Sequence, residues 1–205
     1  MLIKELAAVV HQNAVEKGWY DSKKLAMEDF LALIHSEWSE FLEEMRAGKP
    51  LVYGMIVEGD EKCVPCFTIN YDVIRNRSLK PEGGAVELID GCLRILDLFG
   101  FADIEIDCPD GRHEIDMDEL TKVYTLEMDE IPGEDEVGKL ATYLHAATSE
   151  VMLDGKNEEY DLSYLLVAMS IAFAWIERRG IDPMQVLLLK HEYNKSRPYK
   201  HGKKF

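Results

Sequence analysis

Apolar residues recur every three or four positions along most of the chain, which is the spacing of an amphipathic α-helix. Residues 27–46 show it best, with an apolar stripe made of Phe30, Leu31, Ile34, Trp38, Phe41, Leu42 and Met45. The same spacing predicts helices over 2–17, 85–99, 134–153 and 162–179, and a short last helix beginning near Asp182 and Pro183. Glycines placed after these segments predict four helix ends: Gly18, Gly48, Gly100 and Gly180.

Residues 51–80 interrupt the helical pattern. Segments 52–57 and 63–69 are rich in β-branched and aromatic residues, and a turn-like Glu-Gly-Asp lies between them. This predicts a small β-hairpin inserted between two helices. Clusters of Asp, Gly and Pro in 101–133 predict an irregular connection. The predicted fold class is therefore a mainly α helical bundle, forming a single domain over 1–205.

Two parts of the chain resemble each other weakly. The sequence around His35 is similar to that around His145 at an offset of 110, and the sequence around Asp97 is similar to that around Glu177 at an offset of 80. Two helical hairpins related by a pseudo-two-fold axis would produce this pattern, with 134–180 as a degenerate second copy. Chance similarity between helix pairs would produce it too, so the duplication is a hypothesis.

Composition and charge narrow the function classes. Apolar residues make up 47% of the chain, enough for a sizeable core, and the net charge of −16 argues against stable nucleic-acid binding. No run of about 18 uncharged apolar residues occurs, which predicts no membrane span. The opening residues lack the basic segment and apolar core of a signal peptide, so a cytoplasmic location is expected.

The four cysteines do not suggest a disulfide scaffold at this chain length. Cys63 and Cys66 have the spacing of half a zinc site, which Cys108 and His113 can in principle complete. Lone CxxC pairs are usually incidental, and no second pair exists. Structural zinc is therefore the less favoured interpretation.

Paired carboxylates on two helices are the strongest chemical signal. Glu37 and Glu40 lie three residues apart on one predicted helix, and Glu87 and Asp90 repeat this spacing on another, so each pair shares a helix face. Large apolar residues flank both pairs. If the helices pack together, four carboxylates converge, and a hard divalent cation removes the resulting repulsion. Two amphipathic helices with ordinary acidic outer faces are the alternative.

These motifs resemble the metal-binding signature of the all-α NTP pyrophosphatases, a superfamily that includes the MazG-like enzymes and the dimeric dUTPases. In that signature an ExxE helix precedes an ExxD helix, as Glu37 to Glu40 and Glu87 to Asp90 do here. The C-terminal segment 183–204 also resembles the ending of the MazG-like branch. The three segments occur in the order found in that branch.

The resemblance implies hydrolysis of a nucleoside triphosphate, NTP or dNTP, between its α and β phosphates. Glu37, Glu40, Glu87 and Asp90 would hold Mg²⁺ or Mn²⁺, which neutralises phosphate charge and activates water. Glu40, or less preferably Glu37, would also accept the proton of the attacking water. Family members assemble as dimers or tetramers, so a homo-oligomer is expected.

The basic C-terminal segment gains a role from the resemblance. Lys190, Asn194 and Arg197 have helical i, i+4, i+7 spacing and are expected to face the nucleotide together. His201 and Lys203 are expected to close over the site. A solvated basic terminus is the alternative explanation of the same residues.

Two other functions remain open. One is a dUTPase or dCTPase with narrow base choice, since base selection depends on a few pocket contacts. The other is a non-catalytic helical regulatory protein whose acidic seam binds metal or nucleotide. The insertion at 51–80 lengthens the chain between the two acidic motifs and can cover the site, shape the base pocket or form a subunit interface.

Overall fold

The fold is described from a computed structural model, which describes residues 1–21, 25–58, 61–66, 71–76, 79–102, 115–120, 131–154 and 160–199. This part of the chain contains seven α-helices: α1 (Ile3–Glu16), α2 (Met27–Arg46), α3 (Tyr71–Asn76), α4 (Gly84–Ala102), α5 (Val137–Asp154), α6 (Ser163–Glu177) and α7 (Pro183–Ser196). The prediction of a mainly α fold is confirmed. None of the described helices combines the length and apolar character needed to cross a membrane.

A three-stranded antiparallel sheet occupies the insertion. The predicted hairpin is present as β1 (Tyr53–Glu58) and β2 (Glu61–Cys66), and a third strand, β3 (Lys80–Glu82), pairs with the other edge of β1. Neither β3 nor the short helix α3 was expected, because a three-residue strand and a six-residue helix are too short to show a period. Since β3 leads directly into α4, the sheet positions the start of that helix.

Helix α4 lies at the centre of the bundle. It packs against α1, α2, α6 and α7, while α5 packs against α2 and α6. Most side chains of α4 are therefore buried, and those of Leu88, Ile89 and Leu96 are fully so. This burial stabilises the fold through the removal of apolar surface from water. It also means that any acid on α4 is held in poorly solvated surroundings.

Gly100 does not end α4, contrary to the prediction from its position. The helix continues to Ala102, and Gly100 instead lies against α1. A Cβ at this position would be 2.5 Å from the Cβ of His11 and 2.6 Å from the carbonyl oxygen of Ala7. Glycine is thus required for close packing of two helices, a role that leaves the same sequence signal as a C-cap.

Two side-chain pairs join α2 to α5 at a sequence separation of 110. The Nδ1 atoms of His35 and His145 lie 2.8 Å apart, and the indole N–H of Trp38 donates to Thr148 Oγ1 at 3.0 Å. This separation equals the offset at which the sequence around His35 resembles that around His145. A pseudo-two-fold axis passing between the helices would bring equivalent residues together in this way. The internal duplication itself stays a prediction.

The N-terminus of α7 is capped by Asp182. Its Oδ1 accepts hydrogen bonds from the backbone N–H groups of Met184 at 2.9 Å and Gln185 at 3.2 Å, and Pro183 occupies the first helical position. We expect Asp182→Ala to lower the free energy of unfolding by about 1 kcal/mol, because two backbone donors lose their acceptor. Urea unfolding measures the change, and Asp182→Ser should retain most of the stability. Equal losses in both variants would contradict the capping role.

Candidate functional site

Three of the four predicted metal-binding carboxylates meet between α2 and α4. Glu37 projects from α2, Glu87 and Asp90 project from α4, and one oxygen of each lies within 4.8 Å of the others. The two helices approach closely because Gly91 lies under the Trp38 ring, where a Cβ would be 2.2 Å from Cζ3. The contact between Trp38 and Gly91, which directly follow Glu37 and Asp90 in the sequence, therefore sets how closely these two acids approach.

Glu40 does not join this group of three. It is exposed, whereas Glu37 is buried, because Glu40 stands at the solvent edge of the stripe whose buried members include Trp38 and Phe41. Its charge still contributes to raising the pKa of Glu37, together with the larger effects of burial and Asp90. Glu40 thus lies at the rim of the cluster rather than among its closely spaced oxygens.

Two cations contact the three-acid cluster, which consists of Glu37, Glu87 and Asp90. Arg94 Nε donates to Glu37 Oε1 at 3.0 Å, and Lys190 Nζ lies 2.7 Å from Asp90 Oδ2. Burial alone would lower the pKa of Lys190, but Asp90 and Glu87 together raise it above its ordinary value. Lys190 is 4% exposed, so this predicted substrate-binding residue is held inside the protein by the acids. Arg94 had no predicted role, although it follows Asp90 by one helical turn.

Glu87 is the acid of the cluster that forms an ion pair with neither Arg94 nor Lys190. It is 5% exposed, and the cation that lowers its pKa, Lys190, forms its ion pair with Asp90 instead. Burial raises its pKa to about 8, although Lys190 acts in the opposite direction. Burial likewise raises the pKa of Glu37 despite the Arg94 contact. At neutral pH the cluster therefore favours either a proton or a further cation.

The donor set fits a hard divalent cation. Carboxylate oxygens are the ligands that Mg²⁺ prefers, and it holds them at about 2.0–2.1 Å, so that two ligands of one ion lie at most about 4.2 Å apart. The observed limit of 4.8 Å needs only a small side-chain adjustment to meet this value. The carboxyl of Glu87 offers a ligand that is in an ion pair with neither Arg94 nor Lys190.

A cleft of about 80 Å³ opens beside Asp90 and Arg94, between α1, α4 and α7. The predicted substrate-binding residues Asn194 and Arg197 line it, so the structure brings them to the same opening as Asp90. Residues with no predicted role also line it: Asn13, Lys17, Trp19, Asp97 and His191. The cleft thus places Asp90 of α4 next to residues of α1 and α7.

Lys17 holds the end of α7 against the end of α1. Its Nζ donates to the carbonyl oxygens of Lys195 and Arg197, each at 2.6 Å. A lysine at this position satisfies carbonyls that a helix C-terminus leaves without partners and complements the helix dipole. The contact fixes the backbone of Arg197, whose side chain lines the cleft. The pKa of the Arg197 guanidinium is below its ordinary value, mainly because the group is partly buried.

Asp97 lies on α4 two helical turns after Asp90, but its carboxylate contacts His11 and Tyr20. Its Oδ1 accepts from the Tyr20 hydroxyl at 2.8 Å and lies 2.9 Å from His11 Nδ1. Burial raises the pKa of Asp97, and the contacts with His11 and Tyr20 oppose that rise. This network ties α4 to α1 and the segment after it, and Asp97 lines the cleft without belonging to the three-acid cluster.

Several predicted residues lie outside the described part of the chain. These are His201 and Lys203, which were expected to close over the site, and the zinc candidates Cys108 and His113. The side chains of Cys63 and Cys66 also fall outside it.

Comparison with known proteins adds no family assignment. A scan against protein-family models, a search of curated proteins and a search of solved structures each found no match to this chain. Function is therefore argued from the acidic motifs and the geometry of the cluster and cleft.

Proposed function

We propose that the protein is a metal-dependent nucleoside triphosphate pyrophosphohydrolase, which cleaves the bond between the α and β phosphates to release a monophosphate and pyrophosphate. The observation that carries the proposal is the meeting of Glu37, Glu87 and Asp90 beside a cleft lined by Arg94 and Arg197. Carboxylates for a divalent cation and cations for phosphate oxygens are the two requirements of phosphate-anhydride hydrolysis. The resemblance of both motifs to the MazG-like enzymes supports the same reaction.

In this proposal Glu37, Glu87 and Asp90 hold Mg²⁺, with Mn²⁺ as a substitute. The bound ion supplies neutralisation of phosphate charge and Lewis-acid activation of water. Arg94 and Lys190 orient two of the carboxylates through their ion pairs. They also add positive charge next to the phosphates.

Glu40 is assigned a different role from the other three acids. A general base needs access to solvent water, and the exposed position of Glu40 beside Glu37 meets that need. We therefore assign it the acceptance of the proton from the attacking water, as the more favoured of the two glutamates of α2. An exposed carboxylate also passes this proton readily to bulk solvent.

The phosphate chain is assigned to the cationic side of the cleft. Arg197 offers a guanidinium group to phosphate oxygens, and Asn194 offers an amide to sugar or phosphate. His201 and Lys203 are proposed to cover the bound nucleotide, as the resemblance implies. Assembly as a dimer or tetramer is proposed on the same ground.

Asp90→Asn is expected to lose at least about 100-fold in turnover, because it removes a cluster charge that binds the cation. The test incubates intact protein with a panel of NTPs and dNTPs in Mg²⁺, Mn²⁺ or EDTA and separates the products by chromatography. Glu43→Gln is the matched control, because Glu43 is an exposed acid on α2 that lies outside the cluster. It should retain wild-type turnover.

Folding of both variants is checked by circular dichroism. A folded Asp90→Asn protein that turns over nucleotide as fast as Glu43→Gln would contradict the proposed site. Absence of turnover in the wild type, despite bound metal, would instead support the non-catalytic binding protein.

A further inference from the structure

Two buried polar atoms in the cleft have no hydrogen-bond partner within the described ranges. They are Oδ1 of Asn13, on α1, and Nε2 of His191, on α7. The His191 side chain is 7% exposed, so water solvates it poorly, and both residues line the same cleft. Buried polar groups in proteins are almost always paired with protein, water or ligand. A ligand able to reach both atoms would satisfy them.

The chemistry of this part of the cleft disfavours phosphate. Asn13 Oδ1 is an acceptor and Asp97 is an acid, so neither oxygen group offers an ionised phosphate a hydrogen-bond donor. The pKa of His191 is below its ordinary value, mainly because the side chain is buried. Its imidazole is therefore neutral at neutral pH. Arg94 and Arg197 are instead assigned to the phosphates, while the Lys17 ammonium is bonded to the carbonyls of Lys195 and Arg197.

Other residues of the lining suit a flat heterocycle. The cleft is lined by the indole of Trp19 and by the aliphatic side chains of Val10 and Leu93. Aromatic and aliphatic walls contact the faces of a nucleobase, and a few polar atoms contact its edge. One cleft is therefore lined by Arg94 and Arg197, by apolar side chains, and by two residues that each carry an unsatisfied polar atom.

We infer that this cleft binds the nucleobase of the substrate, with Asn13 and His191 as the specificity-determining residues. The inference rests on the proposed function for the identity of the ligand as a nucleotide. Asn13 Oδ1 accepts from a ring N–H or exocyclic amino group, and His191 Nε2, in the tautomer that carries the proton on this atom, donates to a ring nitrogen or carbonyl. A base that lacks a donor for Asn13 Oδ1 or an acceptor for His191 Nε2 leaves one of these atoms unpaired and binds less tightly.

The test measures binding without turnover. Isothermal titration of intact protein with AMP, GMP, CMP, UMP and dTMP identifies the preferred base, and pyrophosphate with Mg²⁺ probes the phosphate end separately. Asn13→Leu and His191→Leu are each expected to weaken the preferred monophosphate at least about tenfold, and to leave pyrophosphate affinity unchanged. His191→Gln, which keeps a donor, should recover part of the loss. If a leucine variant does not fold, Asn13→Ser and His191→Gln give the comparison.

Three outcomes would overturn the inference. They are wild-type protein that binds none of the monophosphates, variants that bind them as tightly as wild type, and variants that lose pyrophosphate to the same degree. The two proposals fail separately. Weakened monophosphate binding without any hydrolysis would leave the base pocket standing and remove the reaction. Hydrolysis with an unchanged KM for every nucleotide in both variants would leave the reaction standing and remove the base pocket.

Discussion

Replacing Glu87 by glutamine is expected to stabilise the metal-free protein and to reduce its response to Mg²⁺. Glu87 is buried beside Glu37 and Asp90 without an ion pair of its own in the described structure. Ionising it in this environment is unfavourable, which is why burial raises its pKa to about 8. Glutamine keeps the shape of the side chain and removes the charge.

The effect has a defined dependence on pH. The pKa of Glu87 is about 8 in the folded protein, against an ordinary value of 4.5. Between these values the folded state binds more protons than the unfolded state, so the stability of the metal-free wild type falls as pH rises. Burial raises the pKa of Glu37 in the same direction. Glu87→Gln should therefore reduce this slope without abolishing it.

Thermal and urea unfolding in EDTA at pH 5 and pH 8 measure this effect. At pH 8 the variant should be more stable than wild type by roughly 1–3 kcal/mol, with a much smaller difference at pH 5. Adding Mg²⁺ at pH 8 should raise the melting temperature of wild type more than that of the variant. Glu43→Gln should match wild type throughout. A Glu87→Gln protein that is less stable than wild type, with an undiminished Mg²⁺ response, would show that the cluster does not hold the cation.

Gly91→Ala is expected to destabilise the protein and to weaken its metal site together. A Cβ at Gly91 would lie 2.2 Å, 2.4 Å and 2.8 Å from three carbons of the Trp38 ring. Trp38 is fully buried and its indole N–H is bonded to Thr148, so the ring cannot move aside without losing contacts. Overpacking of this kind typically destabilises a protein by about 1–3 kcal/mol. Pushing α2 from α4 also separates Glu37 from Asp90.

Urea unfolding and titration with Mn²⁺ measure the two effects. Gly138→Ala is the matched control, since Gly138 lies in α5 and no atom lies within 4 Å of the Cβ that would be added. This control should be neutral or more stable by up to about 1 kcal/mol, because alanine favours the helix, and its Mn²⁺ affinity should not change. If Gly91→Ala behaved like Gly138→Ala in both measurements, the close approach would not be what positions the acids.

The helices were predictable where apolar residues on one face of a helix alternate with polar residues on the face exposed to solvent. The limits of α2 agree with the predicted 27–46, because its large apolar residues other than Leu33 face one side and a glycine follows its end. Gly100 was interpreted wrongly because a glycine that permits helix packing and one that ends a helix look alike in a sequence. The strand β3 was missed because its pairing with β1 is a tertiary property.

The site was predictable only in part, for a similar reason. The i, i+3 spacing identified Glu37, Glu87 and Asp90, because residues three apart share a helix face. The spacing could not show that Glu40 stands at the exposed edge of that face, since the neighbouring helix decides which edge is covered. Lys17 gives no local signal at all, because its contacts with the end of α7 are 178 and 180 residues away in sequence.

Phosphorus NMR of a nucleoside triphosphate incubated with the protein and Mg²⁺ tests the central claim most directly. The preferred substrate of the panel is used, and the spectrum is followed with and without EDTA. We predict that resonances of the monophosphate and of pyrophosphate grow together only when Mg²⁺ is available. Growth of diphosphate and inorganic phosphate, or product formation that continues in EDTA, would contradict metal-dependent cleavage between the α and β phosphates.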